Sequence, residues 1–84
     1  MTRELAVQLV EFCEGGEIYE NYSGRGMYGK TTYGVVVDDL FDFFVALYLL
    51  GKHHGEKDRK DDIDYEYEIF NFRIDNLGRR YIIY

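Results

Sequence analysis

Tyr22-Ser23-Gly24-Arg25-Gly26-Met27-Tyr28-Gly29-Lys30-Thr31-Thr32 runs directly into Tyr33-Gly34-Val35-Val36-Val37, and whether that junction coils or stays extended decides the fold. Gly24, Gly29, Lys30 and Thr31 fit the spacing GxxxxGK(S/T), and Gly24, Gly26 and Gly29 fit GxGxxG, two glycine-loop signatures of nucleotide binding. Both signatures need a helix opening just after the glycines, so that its positive end faces the phosphates. The residues after Lys30 are instead β-branched and aromatic, the composition of a strand. Asp38 also follows Val37 too closely to lie on a separate strand beside the loop. The stretch is therefore a glycine-rich loop joining two strands, Glu17 to Tyr22 and Thr31 to Val37.

Such a loop serves either a sharp turn or close approach of backbone, for which glycine is suited, or an anion. In the second case it lies over phosphates as the glycine-rich loop of protein kinases does. Gly24, Gly26, Gly29, Lys30 and Thr31 would then form the site, with Arg25 and Lys30 as charged contacts. Met27 and Tyr28 are large residues expected to be exposed at the loop tip, where a binding surface is the usual reason for them.

The 84-residue chain has room for one domain, taken as residues 1–84, and is too short for a complete P-loop nucleotide hydrolase. A domain of this size buries about 60 to 65% of its unfolded surface. A 46% hydrophobic content supplies a core, and nine Tyr with six Phe suggest rings shared between core and contact surfaces. The formal charge of −6 removes the electrostatic driving force for nucleic-acid binding and favours a basic protein partner. Cys13 is the lone cysteine, so neither an internal disulfide nor a CxxC zinc site can form. The longest apolar run, Phe43 to Leu50, falls well short of the about 20 residues that span a bilayer. With no apolar leader, the expected location is the cytoplasm.

Thr2 to Glu14 reads as an amphipathic helix capped by Thr2 and stopped at Gly15-Gly16, with Leu5, Leu9, Val10, Phe12 and Cys13 inward. A second helix is predicted from Asp38 or Asp39 to Gly51. It is apolar nearly all round from Leu40 to Leu50, which calls for a homodimer or a partner protein to cover part of it. Gly34 suggests a bulge or a close contact with a helix above. His53 to Asp62 reads as a charged surface loop whose histidines and acids lack a recognisable metal-ligand spacing, so no metal or other cofactor is expected.

Ile63, Tyr65, Tyr67 and Ile69 alternate with Asp62, Asp64, Glu66 and Glu68, a strand pattern whose phase slips at Phe70. Asp75 to Gly78 is expected to turn into a last strand, Arg79 to Tyr84, whose apolar run makes it a candidate edge for pairing with a second copy. The predicted fold is α+β, two helices on an antiparallel four-stranded sheet in the order α-β-β-α-β-β.

Asp62, Asp64, Glu66 and Glu68 would sit about 6.6 to 6.8 Å apart on one strand face. That is either the wet face of a half-covered sheet or a phosphate-like row fitted to a basic groove. No nucleophile, base and acid grouping has meaningful spacing, so a binder is expected rather than an enzyme. The segment Tyr22-Ser23-Gly24-Arg25-Gly26-Met27-Tyr28-Gly29, in a small acidic chain, resembles short phage and prophage proteins, among them anti-CRISPR and other anti-defence inhibitors. The resemblance covers about a tenth of the chain. It implies an inhibitor that occludes a bacterial host protein, such as a nucleic-acid-binding defence complex, or a sponge for a nucleotide signal. The contact residues would be Arg25, Met27, Tyr28 and Lys30, flanked or replaced by the acidic row.

Overall fold

The computed structural model describes residues 1–24, 27–55 and 72–84. Its elements follow in the order α1 (Arg3–Phe12), β1 (Glu17–Tyr22), β2 (Thr32–Val37), α2 (Leu40–Gly55), β3 (Ile74–Asn76) and β4 (Tyr81–Ile83). The four strands form one antiparallel sheet in the spatial order β1-β2-β4-β3. This is the expected α+β architecture, and the chain after Gly29-Lys30 does stay extended.

Each helix begins where its capping chemistry lies. The Thr2 hydroxyl accepts the Leu5 N–H at 3.2 Å and opens α1, and Asp39 Oδ1 accepts the Phe41 N–H at 2.9 Å and opens α2. Helix α2 does not stop at Gly51 but runs on to Gly55, about one turn further. A single glycine inside a helix costs about 1 kcal/mol relative to alanine. The apolar residues before Gly51 hold the helix through tertiary burial, which outweighs that penalty.

One core lies between the helices and the sheet. Leu5, Ala6, Leu9 and Cys13 of the α1 side meet Phe43, Ala46 and Leu50 of α2 over Val35, Val37 and Ile83. Full burial of each large side chain is worth about 1.5 to 3 kcal/mol, and Phe43 also meets Phe72 edge-on at 5.5 Å between ring centres. Burial raises the Cys13 thiol pKa, with the Asp42 carboxylate adding to it. The thiol is thus kept protonated and inert, as a small core residue.

The alternate residues of β2 and β4 point the other way, and they are buried too. Val36, Ile82 and Tyr84 make a second, smaller core with Tyr22 and Met27 packed against it. The sheet face away from the helices is therefore not simply wet: the central strands β2 and β4 have covered sides on both faces.

The C-terminal part corrects three expectations. Asp75 and Asn76 belong to β3, and the reversal falls at 77–80, where Leu77 N–H donates to Arg80 C=O at 2.7 Å. Strand β4 begins at Tyr81, not Arg79. It is also an internal strand between β2 and β3, so among the described strands the sheet edges are β1 and β3, and the last strand offers no edge to a second copy. Its burial on both faces explains the unbroken apolar run. Tyr84 extends the ladder by exchanging hydrogen bonds with Arg73, each 2.9 Å. The strand predicted through Asp62, Asp64, Glu66 and Glu68, and the phase slip at Phe70, lie outside the described residues.

Gly34 marks a close contact, but with a neighbouring strand and not a helix. A Cβ there would stand 2.9 Å from Ile82 Cδ1 and Cγ1 and 3.0 Å from the Ile83 carbonyl oxygen. Ile82 can turn aside, whereas the carbonyl is fixed in the sheet. Gly34→Ala is therefore expected to destabilise the fold by about 1 to 3 kcal/mol, read as a lower urea midpoint; an unchanged midpoint would show that β2 and β4 can part there freely.

Candidate functional site

The glycine loop is shaped by the strand that leads into it. Strand β1 pairs Tyr19 with Gly34 and Tyr22 with Thr32, so three steps on β1 oppose two on β2. The extra residue makes a bulge, and Asn21 absorbs it with φ +58°, a conformation asparagine tolerates better than most side chains. The bulge brings Tyr22 over the helix-free face. There its ring meets Tyr84 edge-on at 5.0 Å and Tyr19 at 5.6 Å.

Asp75 gathers the far ends of these rings. Its Oδ2 accepts the Tyr22 hydroxyl at 2.6 Å and the Tyr84 hydroxyl at 3.0 Å, which links edge strand β1 to edge strand β3 across the whole sheet. Gly24 then crosses the hydroxyl end of Tyr84 so closely that a Cβ would clash with its Cζ and Oη. Glycine is required at that point by the close approach of Tyr84.

Three of the described loop amides are engaged inside the loop. Gly24 N–H donates to Met27 Sδ at 3.2 Å, Met27 N–H to Gly24 C=O at 3.3 Å, and Lys30 N–H to Met27 C=O at 2.7 Å. A phosphate cradle needs such donors turned outward and free, so three of the positions between Gly24 and Lys30 are already spent on the turn itself. Met27 is half-buried against Val36, Ile82 and Tyr84, so it is a peg holding the loop down and not an exposed tip residue.

Tyr28 is the tip. It stands 95% exposed, with φ +34°, and Gly29 follows at φ +80°. Two successive positive φ values under the Lys30 to Met27 hydrogen bond describe a primed hairpin turn, which normally takes Asn-Gly or Gly-Gly. Lys30 and Thr31 beside it are exposed. The structure thus brings Met27, Tyr28, Gly29, Lys30 and Thr31 into one turn and sets Gly24 beneath it. Arg25 and Gly26 lie outside the described residues, as do Asp62, Asp64, Glu66 and Glu68.

A shallow cleft of about 490 Å³ opens between the loop and β3, lined by Tyr22, Ser23, Gly24, Ile74, Asp75 and Asn76. At the opposite end of the same face Arg80 donates through Nε to Asp38 Oδ1 at 2.7 Å and through a terminal nitrogen to Glu17 Oε2 at 3.1 Å. It thereby ties the start of β1 to the end of β2 and the start of β4. Among the described residues, no three His, Cys, Asp or Glu converge on a metal position, and no helix is long and apolar enough to cross a membrane. Of the predicted His53 to Asp62 loop, His53 is on α2 and its ring lies 5.9 Å from that of Phe12; the segment from 56 onward is outside the described residues.

Sequence reasoning missed the Tyr22, Tyr84 and Asp75 group and the Arg80 clamp. The available signal was that both phases of Val35-Val36-Val37 and of Tyr81-Ile82-Ile83-Tyr84 are apolar, which implies a covering for each face. The chain matches no protein-family model, no curated protein and no solved structure.

The hydrogen bond to Asp75, aided by burial and by the carboxylate's charge, raises the Tyr22 hydroxyl to about 12 from an ordinary 10.0. Its folded value lies above its unfolded one, so the stabilisation is complete below about pH 10 and is lost as pH rises through about 12. A phenolate absorbance titration of wild type minus Tyr22→Phe should show this late step, and Asp75→Asn should move it back toward 10. A step that stays late in Asp75→Asn would mean the carboxylate is not its cause.

Proposed function

We propose that the chain is a protein-binding module that presents Tyr28, flanked by Lys30, as the anchor of its contact surface. The observation that supports this reading most directly is the conformation of Tyr28 itself. A bulky side chain at positive φ costs on the order of 1 to 2 kcal/mol, and at 95% exposure its ring has almost no intramolecular contact to offset that. Asparagine or glycine would close the same turn better. A tyrosine there fits a return collected from another molecule, and tyrosine is among the side chains enriched at energetic centres of interfaces.

The net charge of −6 favours a partner with a basic surface. Together with the resemblance of Tyr22 to Gly29 to anti-defence proteins, it makes bacterial defence complexes that hold nucleic acid the first partners to screen. The mode of action would be occlusion. No chemistry is required of the chain in this reading.

The test separates strain from function in one substitution. Tyr28→Gly is expected to leave the urea midpoint unchanged or raise it, by up to about 1 kcal/mol of stability, while weakening the partner isolated by pull-down by tenfold or more. Wild-type affinity in Tyr28→Gly would remove the loop from the interface. Steep salt dependence of the remaining binding would then move the contact to the acidic row at Asp62 to Glu68.

A further inference from the structure

Among the described residues, the outward face of α2 carries an apolar surface that the loop reading does not use. Phe41, Phe44, Val45, Tyr48 and Leu49 recur at spacings of three and four, so they form one stripe. Phe41 is 67% and Tyr48 70% exposed, Phe44 more than half, and Val45 and Leu49 more than a third. The inward residues Phe43, Ala46 and Leu50 are meanwhile fully buried against α1 and the sheet.

The stripe has its centre at Val45. Four residues before Val45 stands Phe41 and four after it Leu49. At its ends stand the capping residue Asp39 and, seven residues after Val45, Lys52, both exposed. Two copies of α2 crossing antiparallel about Val45 would place Phe41 of each against Tyr48 and Leu49 of the other. Lys52 of each would come beside the acidic N-terminal end of the other helix, where the capping residue Asp39 is exposed. Antiparallel helices also oppose their dipoles favourably. A parallel pairing would instead set like charges together at both ends.

We infer that this face binds a second copy of the chain, forming a two-fold dimer through antiparallel α2 helices. Such an interface is self-complementary, as two-fold symmetry requires. The exposed parts of five side chains amount to about 500 Å², within the about 300 to 600 Å² typical of the largest patch on a monomer. Two such patches bury on the order of 1,000 Å², the lower limit for a specific interface. The dimer should therefore be concentration-dependent and not obligate.

Analytical ultracentrifugation across micromolar to several-hundred-micromolar protein reads this directly. The mass of the wild type should rise from one chain toward two. Tyr48→Glu should hold it at one chain with an unchanged circular dichroism spectrum, and Lys52→Glu should weaken association several-fold at low salt. Val45→Cys should cross-link to itself on mild oxidation, because the two copies meet there, while Glu11→Cys on the exposed side of α1 should not. A single-chain mass at every concentration would overturn the proposal and leave the stripe to a different protein. A dimer that ignores Tyr48→Glu and fails to cross-link through Val45→Cys would equally overturn it. Neither outcome bears on Tyr28, since the loop packs on the opposite face of the sheet.

Discussion

The pairing of Val35-Val36-Val37 with Tyr81-Ile82-Ile83 at the centre of the sheet is the constraint on which the rest depends. Successive side chains of a strand point to opposite faces, so two adjoining all-apolar strands expose hydrophobic surface on both sides at once. Helices can answer only one side in a chain of 84 residues. The other side is answered by whatever the chain has left nearby: the end of β1, bent over by its bulge, and the loop that follows it. The second core of Val36, Ile82 and Tyr84 under Tyr22 and Met27 is the result.

This explains why the loop has the letters of a phosphate loop without its architecture. Gly24 is small because Tyr84 lies beneath it, and Gly29 because the turn needs a positive φ. Met27 is apolar because it pegs the loop to the lower core. Once those positions are accounted for, Tyr28 is the described loop residue left without an internal reason, which is why its exposure and backbone strain weigh more than the motif does. Asp75 completes the arrangement: by accepting both Tyr22 and Tyr84 it lets two hydroxyls stay hydrogen-bonded while their rings pack.

The α+β order, both caps and the extended junction after Lys30 were legible because each is set by local chemistry: β-branching, a Thr or Asp before an apolar run, a glycine pair. The C-terminal boundaries were not. Asp75-Asn76-Leu77-Gly78 has turn composition, yet Asp75 is held in β3 by its place in the ladder opposite Ile82 and by the two tyrosines that reach it. The strand order was hidden as well, since nothing local says that β4 inserts between β2 and β3. Tertiary contacts likewise carried α2 through Gly51. At the candidate site, the glycines could be counted from sequence, but nothing local shows that the Tyr84 ring lies against Gly24.

The two outward-facing features of the fold follow from the same division of faces. The stripe on α2 belongs to the helix-covered side, whereas Tyr28 rises from the loop that closes the opposite side. A two-fold contact through α2 would therefore leave both loops uncovered and directed away from the contact. Two linked anchors bind a two-site or repetitive partner with an effective concentration set by their separation, raising avidity without any added contact at either one. With one strained tyrosine as the proposed anchor, affinity per loop would be limited. Pairing would raise it without enlarging the loop, whose size is fixed by the lower core it has to cover.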